Sequence, residues 1–156
     1  MLFRSLLGEA MAQTQETLAE LRQLSRGIAP PVLVDRGLEA AIDETAARSA
    51  IPVTVYSSIP GKLPDHVEQA AYFVISESLV NANKHSGATA VDLITAVQDG
   101  WLYTTITDNG MGGASTAKGH GLAGLEERLR GVDGRLSITS PTGGPTKIEA
   151  VIPCGS

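Results

Sequence analysis

The chain has 156 residues, with 12 basic against 17 acidic side chains and a formal charge of −5. That balance removes any whole-chain attraction to phosphate backbones or anionic lipid, and no run of four or more Lys/Arg restores one locally, so nucleic acid is not an expected partner. With 42% hydrophobic and 19% charged residues the chain can bury the core of one folded domain, which excludes a disordered segment. The single cysteine, Cys154, excludes an internal disulfide framework and a multi-thiolate zinc site, and reads as an inert residue near the terminus. No apolar stretch approaches the ~20 residues that span a bilayer, and the first residues do not form an export signal, so a cytoplasmic location is expected.

Along 7–28, Leu7, Met11, Thr14, Leu18, Leu21, Ser25 and Ile28 alternate steps of four and three, the spacing of a two-helix seam. A helix apolar only on that seam needs cover, either from a second copy or from its own domain. Pro30 and Pro31 stop it. Residues 1–29 are therefore expected as a helical arm, 30–37 as a linker and 38–156 as the main domain. Residues 38–50 have the composition of a short helix, and 52–56 alternate like a strand. Asp65 is expected to cap a long helix that runs to about Lys84 or His85 without glycine or proline. Strand-like runs at 90–98 and 101–107 flank Asp99-Gly100, a dipeptide suited to a tight hairpin turn. A helix over 122–130 follows, then strands at 135–139 and 147–152 around the turn Thr142-Gly143-Gly144. The fold class expected is a two-layer α/β sandwich, a mixed and largely antiparallel sheet on about three helices, with the N-terminal arm.

On the long helix Glu77, Asn81 and Lys84 are four and three residues apart and fall within ~60° of one another. A carboxylate and a carboxamide one turn apart can accept a proton and offer an oxygen to a hard cation such as Mg²⁺. A solvated face with a Glu to Lys pairing is the alternative. Of the 17 glycines, 11 lie between Gly100 and Gly144, concentrated in Asp108-Asn-Gly110-Met-Gly112-Gly113 and in Gly119-His120-Gly121-Leu122-Ala-Gly124. Asp108, at a strand end, could accept a hydrogen bond from an exocyclic amine such as that of adenine. The glycines after it would let backbone approach a flat ligand. The second cluster runs into a helix, where free amides suit phosphate. Neither cluster follows the Gly-Lys-Ser/Thr phosphate loop or the dinucleotide fingerprint.

Taken in order, Glu77-Ser-Leu-Val-Asn81-Ala-Asn-Lys84-His85, Asp108-Asn-Gly110-Met-Gly112, Gly119-His-Gly121-Leu-Ala-Gly124 and Gly143-Gly-Pro-Thr146 resemble the ATP-binding domain of sensor histidine kinases, in particular the nitrate-sensor and thermosensor type. The wider family includes gyrase, the heat-shock chaperone of ninety kilodaltons and the mismatch-repair ATPases. The resemblance covers about 65–153, and 24–41 is similar to the segment that enters such a domain from a dimerisation helix. It implies that ATP lies between the long helix and a mobile loop. Asn81 would bind Mg²⁺, Glu77 would orient or activate the attacking group, and Lys84 and His85 would reach phosphate oxygens. Asp108 would read adenine with support from Thr146, beside Gly110 and Gly112. Gly119, His120, Gly121 and Leu122 belong to the lid over the triphosphate, which is short here and implies fast nucleotide exchange.

A histidine kinase also needs an acceptor imidazole on its dimerisation helix, and the first 65 residues contain no histidine. His66 is expected to be a capping or surface residue. The chain is therefore expected to be a fragment, not competent to autophosphorylate alone. Its implied partners are the dimerisation and phosphotransfer helices of the same kinase, a response regulator, and a second copy through 1–29. An anti-sigma-factor-like serine kinase of the same fold, and a nucleotide-binding module without catalysis, are the competing readings.

Overall fold

The computed structural model describes residues 29–84, 87–113, 122 and 124–155. The arm expected over 1–28 lies outside them. Among the described residues the order is α1 (Pro31–Arg36), α2 (Leu38–Ala47), β1 (Val53–Ser58), α3 (Asp65–Lys84), β2 (Val91–Gln98), β3 (Trp101–Asp108), α4 (Leu125–Arg130), β4 (Arg135–Thr139) and β5 (Thr146–Pro153). The strands form one sheet in the order β1-β2-β3-β5-β4. β1 pairs with β2 in parallel and every other pair is antiparallel, so the sheet is mixed as expected. The parallel pair requires a crossover, and α3 supplies it.

Strand periodicity sets which side faces the helices. Val91, Leu93 and Thr95 on β2, Leu102, Thr104 and Ile106 on β3, and Ile148, Ala150 and Ile152 on β5 are buried, while their alternates are more exposed. Thr95 and Thr104 share a buried hydroxyl contact at 3.2 Å across the hairpin, which satisfies two polar groups within this apolar layer. The hairpin turns through Asp99 (φ 53°) and Gly100 (φ 83°), the positive values expected of that dipeptide. Against the inner face lie Leu33, Leu38, Ile42, Val67, Ile75, Leu79, Leu125 and Leu129, in one continuous core.

The helix starts required correction. Pro31 begins a six-residue helix within the stretch expected as linker, because proline at the first helical position forfeits no hydrogen bond. Gly37 joins it to α2 with φ 89° and ψ −179°, a region essentially confined to glycine. Asp65 is the first residue of α3, not its cap; the Pro64 carbonyl accepts the first amides, from Val67 and Glu68. The Asp65 carboxylate pairs instead with Lys62 at 3.0 Å. Lys62 also binds Glu68, a carboxylate only 2% exposed that additionally accepts the Leu63 amide at 3.4 Å. The hydrogen bond to Glu68, and then that to Asp65, raise the Lys62 pKa above 10.5.

Candidate functional site

Glu77 and Asn81 lie in the second half of α3 and are 3% and 2% exposed, so the solvated-face reading fails for both. Lys84, in the last turn, is exposed and does not share that environment. The side-chain nitrogen of Asn81 is buried with no hydrogen-bond partner among the described residues. Leaving a buried amide unmade costs ~1–3 kcal/mol, which marks this carboxamide as a candidate for binding a group from outside the protein. Its two ends interchange by rotation: one presents N–H to a phosphate oxygen, the other an oxygen to a hard cation. Among the described residues no three His, Cys, Asp or Glu side chains form a metal cluster. A magnesium ion held by Asn81 would take its other ligands from phosphate and water, the usual arrangement for that ion at a phosphate site.

Asp108 closes β3 and continues the inward series Leu102, Thr104, Ile106, so the strand alternation turns its carboxylate toward the helical layer. It is 3% exposed. Its Oδ1 accepts the Gly110 amide at 2.8 Å, a turn that fixes the carboxylate plane. The register sets Asp108 directly opposite Thr146, the first residue of β5. Thr146 is buried, and its hydroxyl lies 2.7 Å from that of Ser140. Two residues 38 positions apart in the chain thus become sheet neighbours.

The glycines beyond Asp108 have a structural demand of their own. Gly113 donates to the Ser140 carbonyl at 3.1 Å, and Gly143 to the Met111 carbonyl at 2.7 Å. A Cβ on Gly112 (φ 74°) would overlap the Pro141 carbonyl and Gly144, and one on Gly144 would overlap the Gly110 carbonyl. The loop after β3 is therefore packed backbone to backbone on the turn between β4 and β5. That approach, whatever the ligand, already demands glycine.

Asn109 was passed over. Its Oδ1 accepts the amides of Thr89 at 2.8 Å and Ala90 at 3.1 Å, and its Nδ2 donates to the Thr89 hydroxyl at 2.9 Å. It ties the loop after β3 to the segment that follows α3. The available signal was an asparagine at a strand end, a residue suited to satisfying neighbouring backbone groups. Leu122 is fully buried within the core, and its carbonyl accepts the Leu125 amide at 3.2 Å. His85, Gly119, His120 and Gly121 lie outside the described residues. His66 is exposed, as expected of a surface residue, and Cys154 is a free, buried thiol.

A cavity of about 680 Å³ lies on a different face of α3, lined by Tyr72, Ser76 and Val80 rather than by Glu77 and Asn81. The assignment of the site rests on buried polar chemistry and not on cavity size.

No family model matches the chain. Among curated proteins it is similar to the sensor histidine kinase MctS of Rhizobium johnstonii, 31% identical over 147 residues, 87% of this chain and 32% of that protein. The sensor histidine kinase YxjM of Bacillus subtilis is 26% identical over 152 residues, 96% of this chain and 37% of that protein. The nitrate/nitrite sensor protein NarX of Escherichia coli is 29% identical over 151 residues, 93% of this chain and 24% of that protein. The chain spans about a third of the length of the curated relatives it matches. Among solved structures, the histidine kinase domain of the blue-light activated histidine kinase of Erythrobacter litoralis EL346 aligns with a TM-score of 0.59 at 24% identity, over 74% of this chain and 58% of that one. Full-length ShkA in complex with AMPPNP aligns at 0.57 and 17% identity, over 76% of this chain and 29% of that one. The described domain thus has the ATP-binding fold of histidine kinases, and its chain is related to several sensor histidine kinases.

Proposed function

We propose that the chain is the ATP-binding catalytic domain of a two-component sensor histidine kinase of the nitrate-sensor type. In this reading it binds Mg-ATP and donates the γ-phosphoryl group to a histidine on a dimerisation helix, for relay to a response regulator. The observation that carries the reading is the unpartnered, buried carboxamide of Asn81 one turn from buried Glu77, on the helix layer toward which Asp108 turns. The similarity to NarX supports the subfamily.

In this mechanism Asp108 Oδ2 accepts the adenine amine while Gly110 holds Oδ1, and Thr146 steadies the neighbouring strand. Asn81 would hold the cation and phosphate oxygens, and Lys84 and His85 would reach phosphate oxygens. Gly119, His120 and Gly121 frame the lid, and buried Leu122 anchors its end in the core. Glu77 takes the proton that leaves the attacking imidazole nitrogen as the phosphorus to oxygen bond of ATP breaks and the phosphorus to nitrogen bond forms. Magnesium, when bound, neutralises charge on the phosphate oxygens. Most of this work is positioning and charge compensation, which is what phosphoryl transfer asks of a protein.

The test mixes the chain with a separately made acceptor hairpin and labelled ATP. Acid-labile label on histidine is expected, and Glu77→Ala is expected to bind ATP normally yet lose transfer, the pattern of a group acting at the transition state. Transfer retained by Glu77→Ala removes that residue from the mechanism. Label on serine of another protein supports the serine-kinase reading instead, and binding without label supports a nucleotide-binding module.

A further inference from the structure

Ser140 lies outside every motif read from the sequence, yet the sheet carries it to the candidate site. Thr139, the last residue of β4, pairs with Lys147 on β5, and one step further along the same register sets Ser140 opposite Thr146. Thr146 in turn stands opposite Asp108 on β3. The three residues therefore form one row across neighbouring chain segments, where side chains directly opposite have Cβ atoms ~4.5–5.5 Å apart. Thr146 and Asp108 are buried and Ser140 is half-buried. The Ser140 backbone is held independently of its side chain, because its carbonyl accepts the Gly113 amide at 3.1 Å. Its hydroxyl lies 2.7 Å from that of Thr146, an ordinary separation for a hydrogen bond between hydroxyls, and either oxygen can be the donor.

The direction of that bond decides what Thr146 offers a ligand. A hydroxyl has one proton and two lone pairs. If Thr146 donates to Ser140, only lone pairs remain for a guest. If Ser140 donates, the Thr146 proton is left for an acceptor on the guest. Adenine carries a donor, its amine, next to an acceptor, ring nitrogen N1, on one edge. This inference rests on the reading of Asp108 proposed above: with the amine bound there, the atom beside it on the base meets Thr146, the next side chain in the row, and N1 needs a donor.

We propose that Ser140 is a positioning residue for base recognition: its hydroxyl donates to Thr146 and so turns the Thr146 proton toward N1 of adenine, directly or through one water. Asp108 and Thr146 then present an acceptor beside a donor, the complement of adenine. Guanine offers the reverse pattern, an oxygen in place of the amine and an N–H at N1, so both positions oppose it. A site built to hydrogen-bond a group rejects the analogue that lacks it, because its own buried polar atom is left unpaired.

Calorimetric titration of the full chain with ATP and with 1-deaza-ATP, in which a C–H replaces N1, tests it, both in the presence of Mg²⁺. The parent is expected to bind ATP about fivefold more tightly than the analogue, the worth of one neutral hydrogen bond. Ser140→Ala is expected to bind the two nucleotides equally, whereas Ser140→Thr, which keeps a hydroxyl, retains the preference. A serine that only braced the turn would, when replaced, weaken both nucleotides by one factor and leave their ratio as it was, and that result overturns the proposal. Equal affinities in the parent overturn it without any variant, so the test survives a Ser140→Ala chain that fails to fold. In both of those outcomes ATP still binds and the nucleotide-binding reading stands. Binding of neither nucleotide to the parent overturns that reading and this inference together.

Discussion

Asn81 and Asp108 are both buried and polar, yet they are satisfied differently. Asp108 has one oxygen engaged by Gly110, whereas the Asn81 nitrogen has no partner. The two should therefore fail differently. Asp108→Ala removes a charge-assisted hydrogen bond worth ~1.5–3 kcal/mol, a weakening of roughly 10- to 150-fold in ATP affinity with or without Mg²⁺. Asn81→Ala is expected to abolish only the Mg²⁺-dependent part of binding. Calorimetric titration with and without metal separates them, and equal affinities in the two variants would refute the site map. Asn109 provides a structural contrast: Asn109→Ala loses acceptors for two amides, at ~1 kcal/mol each, and should lower the unfolding midpoint by ~4–8 °C. Asn109→Asp keeps an acceptor and should recover most of that loss in the same melting assay.

Two contacts pin elements of the fold, one beside the candidate site and one at the far end of α3. One is the backbone packing of the loop after β3 against the turn between β4 and β5. Gly112→Ala drives a Cβ into the Pro141 carbonyl at a left-handed φ, so the turn must shift. A loss of ~1–3 kcal/mol is expected, with reduced adenine affinity although no polar contact is removed. Denaturant unfolding and nucleotide titration of the same variant check both effects. The other contact pins the start of α3, where Lys62 spans Asp65 and buried Glu68. Because the folded Lys62 pKa lies above 10.5, its contribution is fully present below pH 10.5 and is lost as pH rises through the folded value. Lys62→Met should accordingly be less stable than the parent at neutral pH, with the difference shrinking above pH 10.5. A constant difference across that range in thermal melts would show that the ion pairs are not the cause.

At the scale of the whole molecule, ligand binding and folding are linked. A nucleotide that binds only the folded chain, present at one hundred times its dissociation constant, adds ~2.7 kcal/mol and raises the midpoint by ~5–11 °C. Mg-ATP should do this for the parent chain and, at the same concentration, for Asp108→Ala markedly less. No shift in the parent would mean that the domain has the fold without the ligand. Among the described residues, no helix is long and apolar enough to cross a membrane.

The long helix, the Asp99-Gly100 hairpin and the last two strands could be read from the chain because their signals are local: an uninterrupted run at period 3.6, a turn dipeptide, alternation at period 2. Glu77 and Asn81 were likewise visible as one stripe. Their burial was not, because helical spacing places residues on a face without saying what covers it. Helix starts were the weak point. Pro31 opens a helix within the stretch expected as linker, and Asp65 gives its carboxylate to Lys62 three residues earlier, a local competitor for the capping role. The pairing of Asp108 with Thr146, the clamp formed by Asn109 and the overlap that enforces Gly112 and Gly144 join positions separated by 19 or more residues. Sequence alone determined which residue types are on offer for the proposed chemistry and in what order; only the folded sheet decided which of them meet, since strand register is set by packing across the whole core.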